Sequence, residues 1–170
     1  MKRKFSIFVI PAFAIILFSS CLYKGTDKPQ TLQEEMILIT QRIRWLEGEG
    51  HKVDTTALGV FYWVVKPGPE DGLYPEMGDT LTVIYDGYLI DGTLFYSTNI
   101  LAEKERTFIL GEEDAVAGWN DGLKVIKKGS TVELIIPSTL GFGNNWNGDV
   151  PPNNTMVFIV EMKNIKQKKD

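Results

Sequence analysis

Cysteine and histidine each occur once in the 170 residues, as Cys21 and His51. A single cysteine leaves no partner for an intramolecular disulfide, and the pair cannot form the Cys/His clusters that hold zinc. No Gly-x-Ser-x-Gly elbow is present, and no glycine loop that would cradle phosphate ahead of a helix. Long apolar runs are scarce as well. The one that exists, Phe5 to Phe18, is about 14 residues, short of the roughly 18–20 that span a bilayer. Positive charge is in deficit, 18 Lys and Arg against 22 Asp and Glu. That excludes the broad basic face a nucleic-acid partner requires. The acidic residues Asp86, Asp91, Glu112, Glu113 and Asp114 are dispersed over turns and helix starts, where they suit the local dipole without forming a catalytic pair. No metal or cofactor is implied. An activity in this chain must come from shape and environment.

What is present begins with Lys2, Arg3 and Lys4 ahead of the apolar run, the pattern of a secretory signal peptide. The run ends in Leu17-Phe18-Ser19-Ser20-Cys21, which resembles a lipobox in a serine-rich form. Cys21 is therefore the expected lipidation site, and residues 1–21 the expected lipoprotein signal. Ordinary cleavage leaving an odd thiol is the other reading. Acylation would give a firm membrane anchor. Without the three basic residues of that segment, the 18 cations fall to 15 against 22 acids, a net charge of −7. Lys163, Lys166, Lys168 and Lys169 gather at the end, and 167–170 reads as a solvated basic tail.

Residues 22–30 are polar and read as a tether. Thr31 and Glu34 form the capping-box pattern of a helix start. Leu32, Met36, Ile39, Ile43 and Leu46 then recur four and three apart until Gly48 and Gly50. Two uses fit this seam, packing on the chain's own domain or a dimerisation or partner helix over 31–47. Residues 31–58 are thus expected to be an extra N-terminal helix and its linker.

From Gly59 the texture is β. Val60–Lys66 is branched and aromatic, Thr80–Leu89 alternates, Asp91-Gly92 is a hairpin turn, and Thr93–Ser97 returns. Thr107–Leu110, Thr131–Ile136 and Thr155–Ile165 are further strands. Pro137–Asn154 is a long Gly- and Asn-rich loop containing an exposed Trp146, which is expected to meet partner chains. A helix of about three turns carries Trp119 between Gly118 and Gly122. The pattern predicts an α+β domain, a curved antiparallel sheet wrapped around one short helix.

The ordered set Gly78-Asp79-Thr80-Leu81-Thr82-Val83-x-Tyr85-x-Gly87, Asp91-Gly92-Thr93-x-Phe95, Phe108-x-Leu110-Gly111, Gly118-Trp119-x-x-Gly122-Leu123, Gly141-Phe142-Gly143 and Pro151-Pro152-Asn153-x-Thr155-x-Val157-Phe158 resembles FKBP-type peptidyl-prolyl cis-trans isomerases. The likeness spans about Gly59 to Ile165, and the domain is expected over 59–166. It implies a proline pocket floored by Trp119. Tyr85, Phe95, Tyr96, Phe142 and Phe158 are the other expected catalytic residues, and Ala115, Val116, Val150 and Arg106 the expected substrate contacts. The Val116 N–H would hold a peptide carbonyl. Tyr96 stands where the family usually has Asp, Arg106 where an aromatic is common, and Phe142 where a Tyr hydroxyl binds ligand. Asp149 is a polar residue where an apolar one is common. The likeness, with these departures, implies an isomerase of reduced activity on proline-containing proteins. The signal segment and Cys21 add the expectation that it is lipid-anchored in the cell envelope, facing the periplasm, with extracytoplasmic clients. A proline-binding chaperone or adaptor and a structural lipoprotein subunit are the alternatives.

Overall fold

The computed structural model describes residues 30–100, 102, 104–112 and 115–169. Cys21, the signal segment and nearly all of the tether therefore lie outside the described residues. Helix α1 (Leu32–Gly48) opens with the capping box: the Thr31 hydroxyl accepts the Glu34 N–H, and the Glu34 carboxylate accepts the Thr31 N–H. Such a cap stabilises a helix by about 1 kcal/mol. It closes at Gly50, in the left-handed conformation. There His51 N–H bonds Leu46 C=O and Gly50 N–H bonds Glu47 C=O, a Schellman arrangement.

Seven strands follow: β1 (Asp54–Thr55), β2 (Phe61–Lys66), β3 (Thr80–Leu89), β4 (Leu94–Ser97), β5 (Arg106–Ile109), β6 (Thr131–Ile136) and β7 (Met156–Lys166). Helix α2 (Ala117–Leu123) lies between β5 and β6. All the pairings are antiparallel, in the order β1-β2-β6-β7-β3-β4, with β5 also on β3. β3 pairs with β7 along its whole length. On its other edge it pairs first with β5 through Thr80–Val83, then with β4 through Asp86–Tyr88. This is the predicted α+β sheet. β1 was not predicted. α2 is seven residues, two turns rather than the three expected.

The period-two rule assigns the faces. Leu81, Val83, Tyr85 and Leu89 of β3 and Leu134 and Ile136 of β6 join Phe158, Val160 and Met162 of β7 under α2, with Trp119 and Leu123. The opposite face carries Phe61, Trp63, Ile135 and Val157, and against it packs α1 with Ile39 and Leu46. Arg42 adds a two-oxygen ion pair to Glu133 at 2.9 Å, on a carboxylate 3 % exposed. His51 stacks on Trp63 with ring centroids 4.0 Å apart. The expected seam is only partly right. Ile39 and Leu46 are buried within the chain, but Leu32 and Met36 are half exposed and Glu35 is buried in their stead.

The two glycines of α2 are there for contact. A Cβ on Gly118 would lie 2.3 Å from Ile136 Cγ2, and one on Gly122 2.7 Å from Leu134 Cδ1. Sheet and helix therefore meet backbone to side chain. Gly118→Ala gains about 1 kcal/mol of helix propensity but overpacks an immobile wall, which costs about 1–3 kcal/mol. A net lower urea midpoint is expected, and a raised one would show that the wall yields.

Asp121 of α2, 5 % exposed, ties the segment before β2 to the helix. Burial pushes its carboxyl up, but hydrogen bonds from Thr56, Lys124 and the Leu58 N–H outweigh burial and hold it below the ordinary 3.8. A carboxyl depressed in the folded state stabilises the fold above the unfolded value and ceases to as pH falls through the folded one. Asp121→Asn is expected to shrink the loss of urea stability between pH 6 and pH 3. An unchanged loss would remove Asp121 from the acid response.

Candidate active site

β3 aims Tyr85 at the face of the sheet that α2 covers, and β7 aims Phe158 there by the same alternation. β4 departs from it. Tyr96 pairs with Gly87 and Leu94 with Tyr88, leaving Phe95 as one extra residue opposite the β3 step. This bulge re-aims the strand, so the consecutive side chains of Phe95 and Tyr96 both reach the same pocket instead of opposite faces. Helix α2 supplies the floor. Val116, at its N-cap, has extended backbone (φ −61, ψ 148) and no side-chain cap. Trp119, 7 % exposed, lies below with its ring 4.8 Å from Tyr85 and 4.9 Å from Phe158. Phe95 meets Phe158 edge to face at 5.6 Å.

The result is an open, mainly apolar cavity of about 690 Å³ with six aromatic side chains in its lining. The structure brings to its walls all ten pocket residues singled out from the sequence: Tyr85, Phe95, Tyr96, Arg106, Ala115, Val116, Trp119, Phe142, Val150 and Phe158. Asp149 is also on the wall, together with Asn147, Gly148 and Met156, which the sequence reading missed. Met156 was legible, being two residues before Phe158 on an alternating strand. The other two belong to a tight turn in which Asn147 and Val150 exchange backbone hydrogen bonds at 3.0 and 2.9 Å. Trp146 is 63 % exposed beside that turn.

The polar side chains described on its walls are those of Tyr85, Tyr96, Arg106, Asn147 and Asp149. Tyr96 stacks on Tyr85 at 5.1 Å and 18°, and Arg106 Nη1 donates to the Tyr85 hydroxyl at 3.1 Å. Burial pushes the Tyr85 hydroxyl up to about 12, although the Arg106 hydrogen bond pulls the other way. Tyr85 is thus a neutral phenol at any physiological pH. Arg106 also lies 5.7 Å over the Phe108 ring. An aromatic face and a phenol are thus among the contacts of this guanidinium at the edge of the cavity. Among the described residues no group of three or more His, Cys, Asp or Glu could hold a metal. What the arrangement offers a ligand is a largely apolar, aromatic-walled box that also presents a few polar groups, the Asp149 carboxylate among them.

Residues 72–163, over half of the chain, match the model of the family described as FKBP-type peptidyl-prolyl cis-trans isomerase. The chain belongs to that family. It is 40 % identical over 114 residues to the FKBP-type peptidyl-prolyl cis-trans isomerase FkpA of Escherichia coli K12, covering 67 % of this chain and 40 % of FkpA. It is 36 % identical over 110 residues to the outer membrane protein MIP of Legionella longbeachae, covering 64 % and 45 %. The crystal structure of E. coli FkpA superposes with a TM-score of 0.62 at 34 % identity, over 79 % of this chain and 62 % of that one. A Pseudomonas syringae peptidyl-prolyl cis-trans isomerase gives 0.61 at 27 %, over 84 % of this chain and all of that one. The chain spans less than half the length of these two curated relatives.

Proposed function

We propose that this protein is a peptidyl-prolyl cis-trans isomerase acting on X–Pro bonds of extracytoplasmic proteins. The observation that carries the reading is the convergence of β3, β4, β7 and α2 on one largely apolar cavity floored by Trp119. An X–Pro bond resists rotation because amide resonance sets a barrier of about 18–20 kcal/mol. Resonance loads the oxygen with negative charge, and water stabilises that planar form. A proline seated on Trp119 among Tyr85, Phe95 and Phe158 loses this hydration, which favours the twisted, less polar amide. The Val116 N–H holds a flanking carbonyl, and Trp146 offers an exposed ring to the client chain. The protein works in the cell envelope, anchored through acylated Cys21 and facing the periplasm.

Tyr96 favours a second reading. Its ring fills the wall at the position where the likeness to the family leads one to expect a carboxylate, so the cavity could hold proline segments without turning them. The deciding experiment is the cis-to-trans rate of a Leu-Pro peptide with and without the purified chain, shown to be folded. Acceleration in proportion to enzyme supports the isomerase. No acceleration, with the peptide still bound, supports the binding module.

A further inference from the structure

Glu35 is the one acidic side chain of α1 that faces inward, 2 % exposed. Its Oε1 accepts the Ser138 N–H and the Thr155 hydroxyl, both at 2.6 Å, and its Oε2 accepts the Ser138 hydroxyl at 2.7 Å. Ser138 and Thr155, themselves buried, are the two ends of the stretch that leaves β6 and returns to β7. That stretch carries Phe142 and Val150 into the cavity. We propose that Glu35 is a positioning residue for the proline pocket: from the far side of the sheet it clamps both ends of the 138–155 loop and so sets where Phe142 and Val150 stand. This rests on the proline-pocket reading above.

Docking α1 does not require this carboxylate. Ile39, Leu46 and the Arg42–Glu133 pair already fix the helix to the sheet. A buried carboxylate is costly unless donors saturate it, and here all three donors come from the loop ends. From Ser138 the constraint runs inward. Gly141 and Gly143 N–H bond to the Ser138 C=O at 2.8 and 2.9 Å. Leu140 presses on α2 where a Cβ on Gly118 would lie 3.1 Å away, next to Trp119. At the other end Asn153, left-handed at φ 54, bonds through its N–H to Gly143 C=O and through its amide to Gln30 C=O, both at 2.7 Å. Gln30 directly precedes the Thr31 cap. Thus α1, which lies outside the 72–163 family match, reaches the pocket through two connected ties.

The test compares Glu35→Ala, Glu35→Gln and Thr155→Val with Leu46→Ala, which loosens the other end of α1. Two readouts are taken: amide hydrogen exchange along the chain, and kcat/KM for a Leu-Pro peptide together with that peptide's Kd. Glu35→Ala is expected to speed exchange at Gly141, Gly143 and Asn153 by at least about tenfold, the scale of losing hydrogen bonds to a charged acceptor. β3 and β7 amides should keep their rates, and kcat/KM should fall in step with the loop. Glu35→Gln, which retains one acceptor oxygen, should recover part of both, and Thr155→Val should reproduce part of the loss. Leu46→Ala should lower stability and leave the loop and kcat/KM near wild type. Loop exchange at the wild-type rate in Glu35→Ala would overturn the proposal. Equal effects of Leu46→Ala on loop and activity would overturn it too, since Glu35 would then merely dock the helix. If Glu35→Ala fails to fold, Glu35→Gln and Thr155→Val decide by the same readouts. If the wild-type chain proves unable to turn the peptide, the isomerase reading falls by itself. The clamp is then judged on loop exchange and peptide Kd.

Discussion

Phe95→Ala is expected to lower kcat/KM for a Leu-Pro peptide by roughly ten- to a hundredfold while leaving the protein folded. The ring is one wall of the cavity and reaches it only because the β4 bulge turns it inward. Deleting it removes apolar contact worth about 1.5–3 kcal/mol, and each 1.4 kcal/mol at the twisted amide is about a factor of ten in rate. In the proposed mechanism it also opens the site to water, which would restore the solvation of the planar amide. Phe95 is only partly buried and packs at the edge of the core, so the stability loss should stay below about 2 kcal/mol. Peptide kinetics and a urea titration on the same sample separate the two effects. A rate within twofold of wild type would place the chemistry elsewhere.

Trp119→Ala is expected to produce the largest loss of stability of any single pocket change. The indole is buried and touches Tyr85, Phe158 and Phe108, so it belongs to the main core as well as to the site. Truncating a buried Trp costs about 3–5 kcal/mol, a large share of the roughly 5–15 kcal/mol that holds a domain folded. The urea midpoint should drop steeply at constant slope. A loss below about 1 kcal/mol would mean that the floor carries no packing load. The contrast between these two substitutions is itself informative: a rate loss at Phe95 with little loss of stability, against a large loss of stability at Trp119, separates contact with ligand from packing of the core.

The pocket was legible through the ordered set of motifs that resembles the family, since each of its aromatics taken alone reads equally as core. Periodicity adds only which face some of them take. Tyr85 and Phe158 lie on alternating strands, and Trp119 sits between glycines whose lack of a side chain makes sense only if the sheet approaches. Phe95 and Tyr96 are adjacent, and alternation alone would separate them. Only the β4 bulge, which depends on pairing with β3, brings both to one wall. Glu35 escaped for a different reason. An acidic residue in a first helical turn reads as solvated and dipole-compensating, and its true partners lie 103 and 120 positions away. The seam of α1 was drawn through Leu32 and Met36, since apolar spacing cannot reveal that a carboxylate with three donors takes the inward place. The two-residue β1 is too short to leave a pattern, and it forms only because β2 offers a free edge.

The central claim is that the site works by shape and dryness without moving a proton. It is tested most directly by kcat/KM for a Leu-Pro peptide from pH 6 to pH 9, in H2O and in D2O. Tyr85 stays protonated throughout, with its hydroxyl pushed up to about 12. The account predicts clear acceleration, a flat profile and equal rates in the two solvents. A bell-shaped profile or a marked solvent isotope effect would contradict it, and so would the absence of acceleration by folded protein.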